Sequence, residues 1–417
     1  MAKFDAMLHN IKMVKNEINQ KGITYGLIDS MYIWRTLRSN NLSQAIMDKT
    51  SGYWFINIEE VKKSIEEGNG KILWFIPDFS IGSGGHTTIF RFIHHLEKLG
   101  IQSDIAICNG TQWETEEKLK EVVDNHFFPN NSKYTIVNYG DYNFNNKFKE
   151  TYSLAMATSW DSAYYVRGFK HCNQRAYFVQ DFEPSFYSQG SAYYFAEETY
   201  NFNFDFCVTA GDWLKKLMTE KYHKEAESFH FSYDRSLYYD RGDRKENSIK
   251  NVFYYARPGT ERRGFELGML TLQKVKEHFG QDVNIILAGQ DLSSYYIPFE
   301  HTSLGVLSQE DLAKTFSKCH AALVLSLTNL SLMPIEILAT GCQVVMNNGD
   351  NATWSDEGKL FTYADPNPLD LSEKLISTLN GKIPLQQNSP YYDEIMQVSW
   401  DSETKKINDY ILNKLNQ

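Results

Sequence analysis

The chain has 417 residues, with 42 lysines and arginines against 52 aspartates and glutamates, a net charge of −10. That length accommodates two domains of ordinary size, and the acidic balance, with no basic run, excludes a nucleic-acid backbone as the main partner. Cys108, Cys172, Cys207, Cys319 and Cys342 are scattered without CxxC spacing, a pattern of reduced, buried thiols in a cytoplasmic protein and not of a disulfide or zinc framework. The start MAKFDAMLHN lacks an apolar signal core, and no apolar stretch of about 18 residues occurs, so a soluble cytoplasmic protein is expected. Aromatic residues make up 14% of the chain, and their faces can stack on sugar rings.

Residues 1–70 carry helical periodicity, with Ile11, Val14 and Ile18 on one face, so a small helical extension is expected before the main fold. Its first 50 residues hold seven Lys/Arg against four Asp/Glu, a local surplus suited to weak peripheral contact with the anionic inner face of the plasma membrane. Lys71–Pro77 (KILWFIP) is the first clear strand, followed by Ile81-Gly-Ser-Gly-Gly-His86 and a helix from about Thr87 to Leu99. Strand, glycine turn and helix bring backbone N–H groups towards an anion, although the spacing is not GxGxxG. Further strands are expected at 104–108 and near Tyr134–Asn138, Ser153–Thr158, Ala176–Val179 and Asp205–Thr209, with helices at Gly190–Tyr200 and from Asp212. The strand at 176–179 runs into Gln180-Asp181-Phe182-Glu183-Pro184 at its carboxyl end.

The charged, turn-rich stretch from Asp240 to Ser248 is the best linker candidate. The pattern then restarts, with strands at Asn251–Ala256 and Val283–Ala288 and helices at Gly264–His278 and Ser308–Phe316. Residues 320–346 form one βαβ unit: a buried strand from Ala321, the polar loop Thr328-Asn329-Leu330-Ser331, a helix from about Pro334 to Gly341, and a strand from Gln343 to Met346. A strand near Leu360–Tyr363, a helix at Pro368–Leu379 and a last helix at 402–415, capped by Trp400-Asp401, complete the chain. The fold class is α/β: a helical extension (1–70), two Rossmann-like domains facing across a cleft (71–240 and 241–397), and a terminal helical segment (398–417).

Arg257 lies at a strand's carboxyl end, and Arg262 and Arg263 precede the next helix. Two guanidinium groups flanking such a loop can clamp a diphosphate, because arginine offers bidentate donors to phosphate oxygens. Glu336 falls in a helix's first turn, where a carboxylate often only balances the helix dipole. Met333 cannot form a capping box with it, which favours a role in accepting hydrogen bonds from ribose hydroxyls.

The glycine loop after the first strand, R-x4-R after the second domain's first strand, and a Glu early in the helix before A-x-G-x-x-V-V resemble the retaining GT-B glycosyltransferases of family 4. VQDFEPSFYSQGSAYYFAEETY and ARPGTERRGFELG are similar to bacterial rhamnosyltransferases that build S-layer or O-antigen rhamnan from dTDP-L-rhamnose. The resemblance covers about residues 70–415 and implies that the terminal helix crosses back onto the first domain. It implies Arg257 and Arg262, with Arg263 beside them, on the donor diphosphate, and the backbone of Leu330, Ser331 and Leu332 near phosphate and sugar. Glu336 would hold the ribose, and Gly84, Gly85 and His86 would lie near the reacting centre. Gln180-Asp181 falls where many relatives carry His-Asp, which leaves Asp181 or Glu183 as the acidic candidate. Thr328 stands where the family has the first Glu of its E-x7-E motif, so the sugar contacts do not carry over.

The expected activity is metal-independent transfer of a sugar, L-rhamnose foremost, to a glycan acceptor, lipid-linked or free, with retention and without a cofactor. A GT-B-fold sugar-nucleotide epimerase and a non-catalytic glycan-binding protein are the alternatives. The oligomeric state is left open, a homodimer included.

Overall fold

The structure, a computed structural model, describes residues 50–110, 112–244 and 249–416. The chain divides into two units, residues 1–57 and 58–417. In the first, Trp54–Asn57 form a 3-10 turn; the helices expected over residues 1–49, with their basic surplus, lie outside the described residues. Residues 58–70 belong to the second unit and contain no helix, contrary to the expected extension. They run along the first sheet instead, Ser64 N–H donating to the Cys172 carbonyl at 2.8 Å and Asn69 N–H to that of Thr151 at 2.9 Å. Arg175, only 2% exposed, fixes this segment by donating to the Val61 and Phe169 carbonyls at 2.7 and 2.9 Å.

The first sheet comprises β1 (Ile72–Pro77), β2 (Ser103–Cys108), β3 (Tyr134–Val137), β4 (Tyr152–Ala157), β5 (Cys172–Val179), β6 (Phe206–Ala210) and β7 (Ala226–Phe229). All pair in parallel, in the order β3-β2-β1-β4-β5-β6-β7. Helices α1 (Gly84–Lys98), α2 (Glu116–His126), α3 (Trp160–Arg167), α4 (Ser191–Glu198) and α5 (Asp212–Glu220) make the crossovers. Strands covered on both faces need continuous apolar runs. ILWFIP meets that need, with every residue but Pro77 buried.

The second sheet contains β8 (Lys250–Tyr255), β9 (Val283–Ala288), β10 (His301–Ser303), β11 (Ala321–Val324), β12 (Gln343–Asn347) and β13 (Thr362–Ala364). Its order is β10-β9-β8-β11-β12-β13, again parallel. It carries α6 (Phe265–Phe279), α7 (Gln309–Ser317), α8 (Met333–Ala339), α9 (Asp350–Thr353) and α10 (Pro368–Leu379), followed by α11 (Tyr392–Met396) and α12 (Trp400–Leu415). Both orders are those of doubly wound nucleotide folds, which reverse direction beside their first strand. The expected two Rossmann-like halves are both present.

Two details differ from the sequence reading. Ser399, not Trp400-Asp401, caps α12, in a capping box with Ser402, and the helix starts at Trp400, two residues earlier than expected. The charged 240–244 stretch is also not a free tether: Arg244 pairs with Asp240 at 2.7 Å and donates to the Thr340 carbonyl at the end of α8. Helix α12 packs on α1 and β7, with the Gln174 side chain donating to the Lys414 carbonyl at 2.8 Å. Among the described residues no helix is long and apolar enough to cross a membrane.

Candidate active site

In a doubly wound sheet the loops flanking the strand-order reversal diverge, and the crevice between them receives the ligand. In the second sheet the reversal lies between β8 and β11. The loop after β8 carries Arg257, Arg262 and Arg263, and the loop after β11 carries residues 325–332. In the first sheet it lies between β1 and β4, so the glycine turn after β1 sits at the corresponding place. Helix α1 starts at Gly84, three residues earlier than expected, which puts both glycines in its first turn. A Cβ on Gly85 would stand 3.7 Å from the Gln180 side chain, so the glycine turn and the end of β5 are neighbours.

The carboxyl edges of the two sheets meet. Thr328 donates its hydroxyl to Asp181 Oδ2 at 3.1 Å, and Arg262 Nε lies 3.9 Å from the same oxygen. The Arg262 guanidinium stacks on the Phe186 ring at 4.2 Å, a cation–π contact that holds its plane. Arg262 Nε and Ser331 Oγ are both buried without a hydrogen-bond partner, so each keeps hydrogen-bonding capacity that the protein does not use. Burial raises the Asp181 carboxyl above its ordinary value, and Arg262, Thr328 and Arg263 oppose that rise. Arg257 is exposed. Burial and the neighbouring Arg262 lower Arg263. A phosphate could relieve this crowding of like charge.

Glu183 does not face the cleft. It is 8% exposed, and its Oε2 accepts from the Trp160 N–H at the start of α3 and from the Tyr177 hydroxyl at 3.2 Å. Burial, with Asp161 nearby, pushes its carboxyl up to about 8, so it is a neutral brace for α3 in the acidic and neutral range. The folded chain then holds a proton that the unfolded chain loses above the ordinary carboxylate range. Stability falls as pH rises between about 4.5 and about 8. Glu183→Gln keeps both acceptor contacts and removes the titration. The variant is expected to be more stable than the parent near pH 8, by on the order of a few kcal/mol and so with a higher melting temperature, the gap closing towards about pH 5. Equal melting temperatures across that range would refute the assignment.

His86 is also held from within. Its Nδ1 shares a 2.7 Å hydrogen bond with Ser83 Oγ, its Nε2 approaches the Pro77 carbonyl at 3.3 Å, and its ring stacks on Phe79. Burial pulls it down to about 4, so it is a neutral prop under the glycine turn. The Leu330 N–H is likewise engaged, donating to the Asn351 carbonyl at 2.9 Å, and is not free for phosphate. Ser331 and Leu332 lead into α8, with Leu332 at its N-cap.

Glu336 belongs to a different group, formed with Arg91 of α1, Tyr238 and Asp234. Burial pushes it up to about 7, while Arg91 and the Tyr238 hydroxyl stabilise its charged form. Burial lowers Arg91 to about 10, against the pull of Glu336, so the guanidinium stays charged. Among the described residues, no group of three or more His, Cys, Asp or Glu side chains could hold a metal ion.

Several residues of this region carried no sequence signal. Asn347 Oδ1 accepts from the Ser326 N–H at 2.7 Å, and its Nδ2 donates to the Ser326 carbonyl at 3.0 Å. Asn351 donates to that same carbonyl at 2.7 Å. Together they set the exit of β11. Asn329 and Trp354 bridge the two sheets.

Residues 250–376 match the family described as WsaF, C-terminal domain. The O-antigen biosynthesis protein RfbC of Myxococcus xanthus is 28% identical over 364 residues, covering 82% of this chain and 27% of that protein. The chain thus spans about a quarter of that relative's length. Among solved structures, sucrose-phosphate synthase from Thermosynechococcus elongatus superposes with a TM-score of 0.62 at 13% identity, over 83% of this chain and 99% of that one. HepE of Anabaena, solved in complex with UDP and glucose, gives 0.59 at 12% identity, over 84% and 100%. The architecture is therefore that of a GT-B glycosyltransferase.

Proposed function

We propose that the protein is a glycosyltransferase of surface-glycan synthesis that transfers L-rhamnose from dTDP-L-rhamnose to an acceptor hydroxyl, with retention. The carrying observation is the arginine loop after β8 meeting the 328–332 loop and Asp181 at the joined edges of both sheets. The chemical difficulty is departure of a nucleoside diphosphate. As the bond from the sugar's anomeric carbon to the phosphate oxygen breaks, negative charge grows on the diphosphate, and Arg257, Arg262 and Arg263 would stabilise it. The acceptor oxygen bonds to the same carbon from the leaving group's face, and its proton passes to a diphosphate oxygen. No step requires a metal or other cofactor. Asp181 would orient the acceptor or balance positive charge on the sugar. Glu336 would turn from Arg91 and Tyr238 to the ribose when the donor enters.

Three supports bear on the sugar and the pathway: the resemblance of the 179–200 and 256–268 segments to rhamnosyltransferases, the match to the WsaF family, and the relation to an O-antigen biosynthesis protein. UDP and glucose bound to HepE make a nucleotide-sugar donor the natural ligand class. Peripheral membrane contact and the oligomeric state are secondary parts of the proposal, to be read by liposome sedimentation and by light scattering. The deciding test is a thermal-shift panel of dTDP, UDP, GDP and ADP, followed by turnover of the matching sugar nucleotides. Saturating dTDP is expected to add about 3 kcal/mol of stability at a hundredfold excess over its Kd. No shift with any nucleotide would end the proposal, and turnover of donor without acceptor would move it to an epimerase.

A further inference from the structure

Asn329 follows Thr328 in the loop after β11, is 4% exposed, and has every polar atom of its side chain engaged. Its Nδ2 donates to the Gln180 carbonyl at 2.9 Å and to the Ala210 carbonyl at 3.0 Å. These carbonyls stand at the ends of β5 and β6, in the other sheet. Its Oδ1 accepts from Trp354 Nε1 at 3.1 Å. Two carbonyls on one side and an indole N–H on the other fix which end of the amide is which. The edge of a parallel sheet leaves its last carbonyls without ladder partners. Asn329 supplies the donors that two of them need.

Trp354 completes the device. It follows α9 in the second sheet's half, yet its ring lies against Gly211 of the first. A Cβ there would stand 2.3 Å from the ring, and Gly211 has a φ of +95°, which also favours glycine. The ring also contacts His230 and Phe231, with centroids 5.4 and 6.2 Å away. A glycine seat, an indole and one amide thus join the edges immediately beside the Thr328–Asp181 contact.

We infer that Asn329 is a positioning residue whose amide docks the 328–332 loop onto the ends of β5 and β6, so that the site is assembled only when the two sheets are closed. Thr328 reaches Asp181, and Arg262 reaches Asp181 and Phe186, because the neighbouring residue is fastened to the opposite sheet. Without that fastening the loop remains on its own sheet, held by Asn347 and Asn351, and the arginines can still take a nucleotide. Closure and donor binding become separable.

The test reads closure directly and does not depend on the donor. Small-angle scattering of the full chain without ligand is compared for the parent, Asn329→Ala, Asn329→Asp and Trp354→Phe, with circular dichroism confirming that each is folded. Asn329→Asp keeps the acceptor for Trp354 but sets a carboxylate against two carbonyls. Both Asn329 variants are expected to show a larger radius of gyration than the parent, and Trp354→Phe a smaller increase. Parent-like scattering from folded Asn329→Ala and Asn329→Asp would overturn the inference. Should Asn329→Ala not fold, Asn329→Asp and Trp354→Phe decide. The kinetic arm rests on the proposed glycosyl transfer: kcat of Asn329→Ala should fall by about tenfold or more, with the donor's KM changed little, because reacting groups are misplaced. Unchanged kcat would also overturn it. A parent that turns over no sugar nucleotide would instead count against glycosyl transfer, and the scattering would still decide the role of Asn329.

Discussion

Arg262→Ala is expected to lower turnover by about 10²-fold, the usual consequence of removing one preorganised donor from a developing anion. Its guanidinium is held by the Phe186 face on one side and approaches Asp181 on the other. Both contacts come from the first sheet, while the backbone of Arg262 belongs to the second, so the residue is in position before the donor arrives. Arg262→Lys retains charge but loses the planar stack and the fork of donors, and should recover only part of the rate. Arg257, exposed on the same loop, should show the same direction of effect when changed to alanine. Near-parental rates in both alanine variants, measured at saturating donor, would remove the diphosphate role from this loop.

Asp181→Asn should separate binding from chemistry. The asparagine's one carbonyl oxygen can still accept from the Phe182 N–H, which now bonds to Oδ1 at 2.9 Å, while its NH2 takes the place of Oδ2, where the Thr328 hydroxyl, now a donor at 3.1 Å, can turn to accept. What disappears is a negative charge beside the arginines. Turnover should fall by about 10²-fold or more if that charge supports a cationic sugar or orients the acceptor. Nucleotide affinity, measured by calorimetry with dTDP, should hold or improve, since the arginines lose a competitor for phosphate. Weaker dTDP binding with unchanged kcat would show that Asp181 serves only to shape the arginine loop.

The alternation of apolar runs with helical periods made both sheets legible, because strands buried on two faces cannot hide their composition. The strands that escaped notice were β7 and β10, whose AESF and HTS are too short and too polar to carry a period. At the site, Asp181 could be read from its place after a strand end and Arg262 from its place before a helix, and the structure brings them to one point. Glu183 and His86 could not be separated from them on position alone. Both also follow strand ends, but the Trp160 N–H and the Ser83 hydroxyl draw them inward, and those partners are set by tertiary packing. Asn329 and Trp354 lay beyond reach for a related reason. Their roles exist only where two sheets, formed by distant parts of the chain, come within hydrogen-bonding distance.

Helix α12 carries a consequence for the order in which the protein is made. Trp400 lies against Phe92, Phe229 and Phe231 of the first sheet's half, and Arg91 stacks on its indole at 4.3 Å. On the ribosome those phenylalanines emerge well before Trp400, an interval on the order of ten seconds at ordinary elongation rates. Throughout that interval the nascent first half presents an uncovered aromatic surface, and only the arrival of the last helix closes it. The first half therefore cannot complete its own aromatic packing until nearly the whole chain has been made.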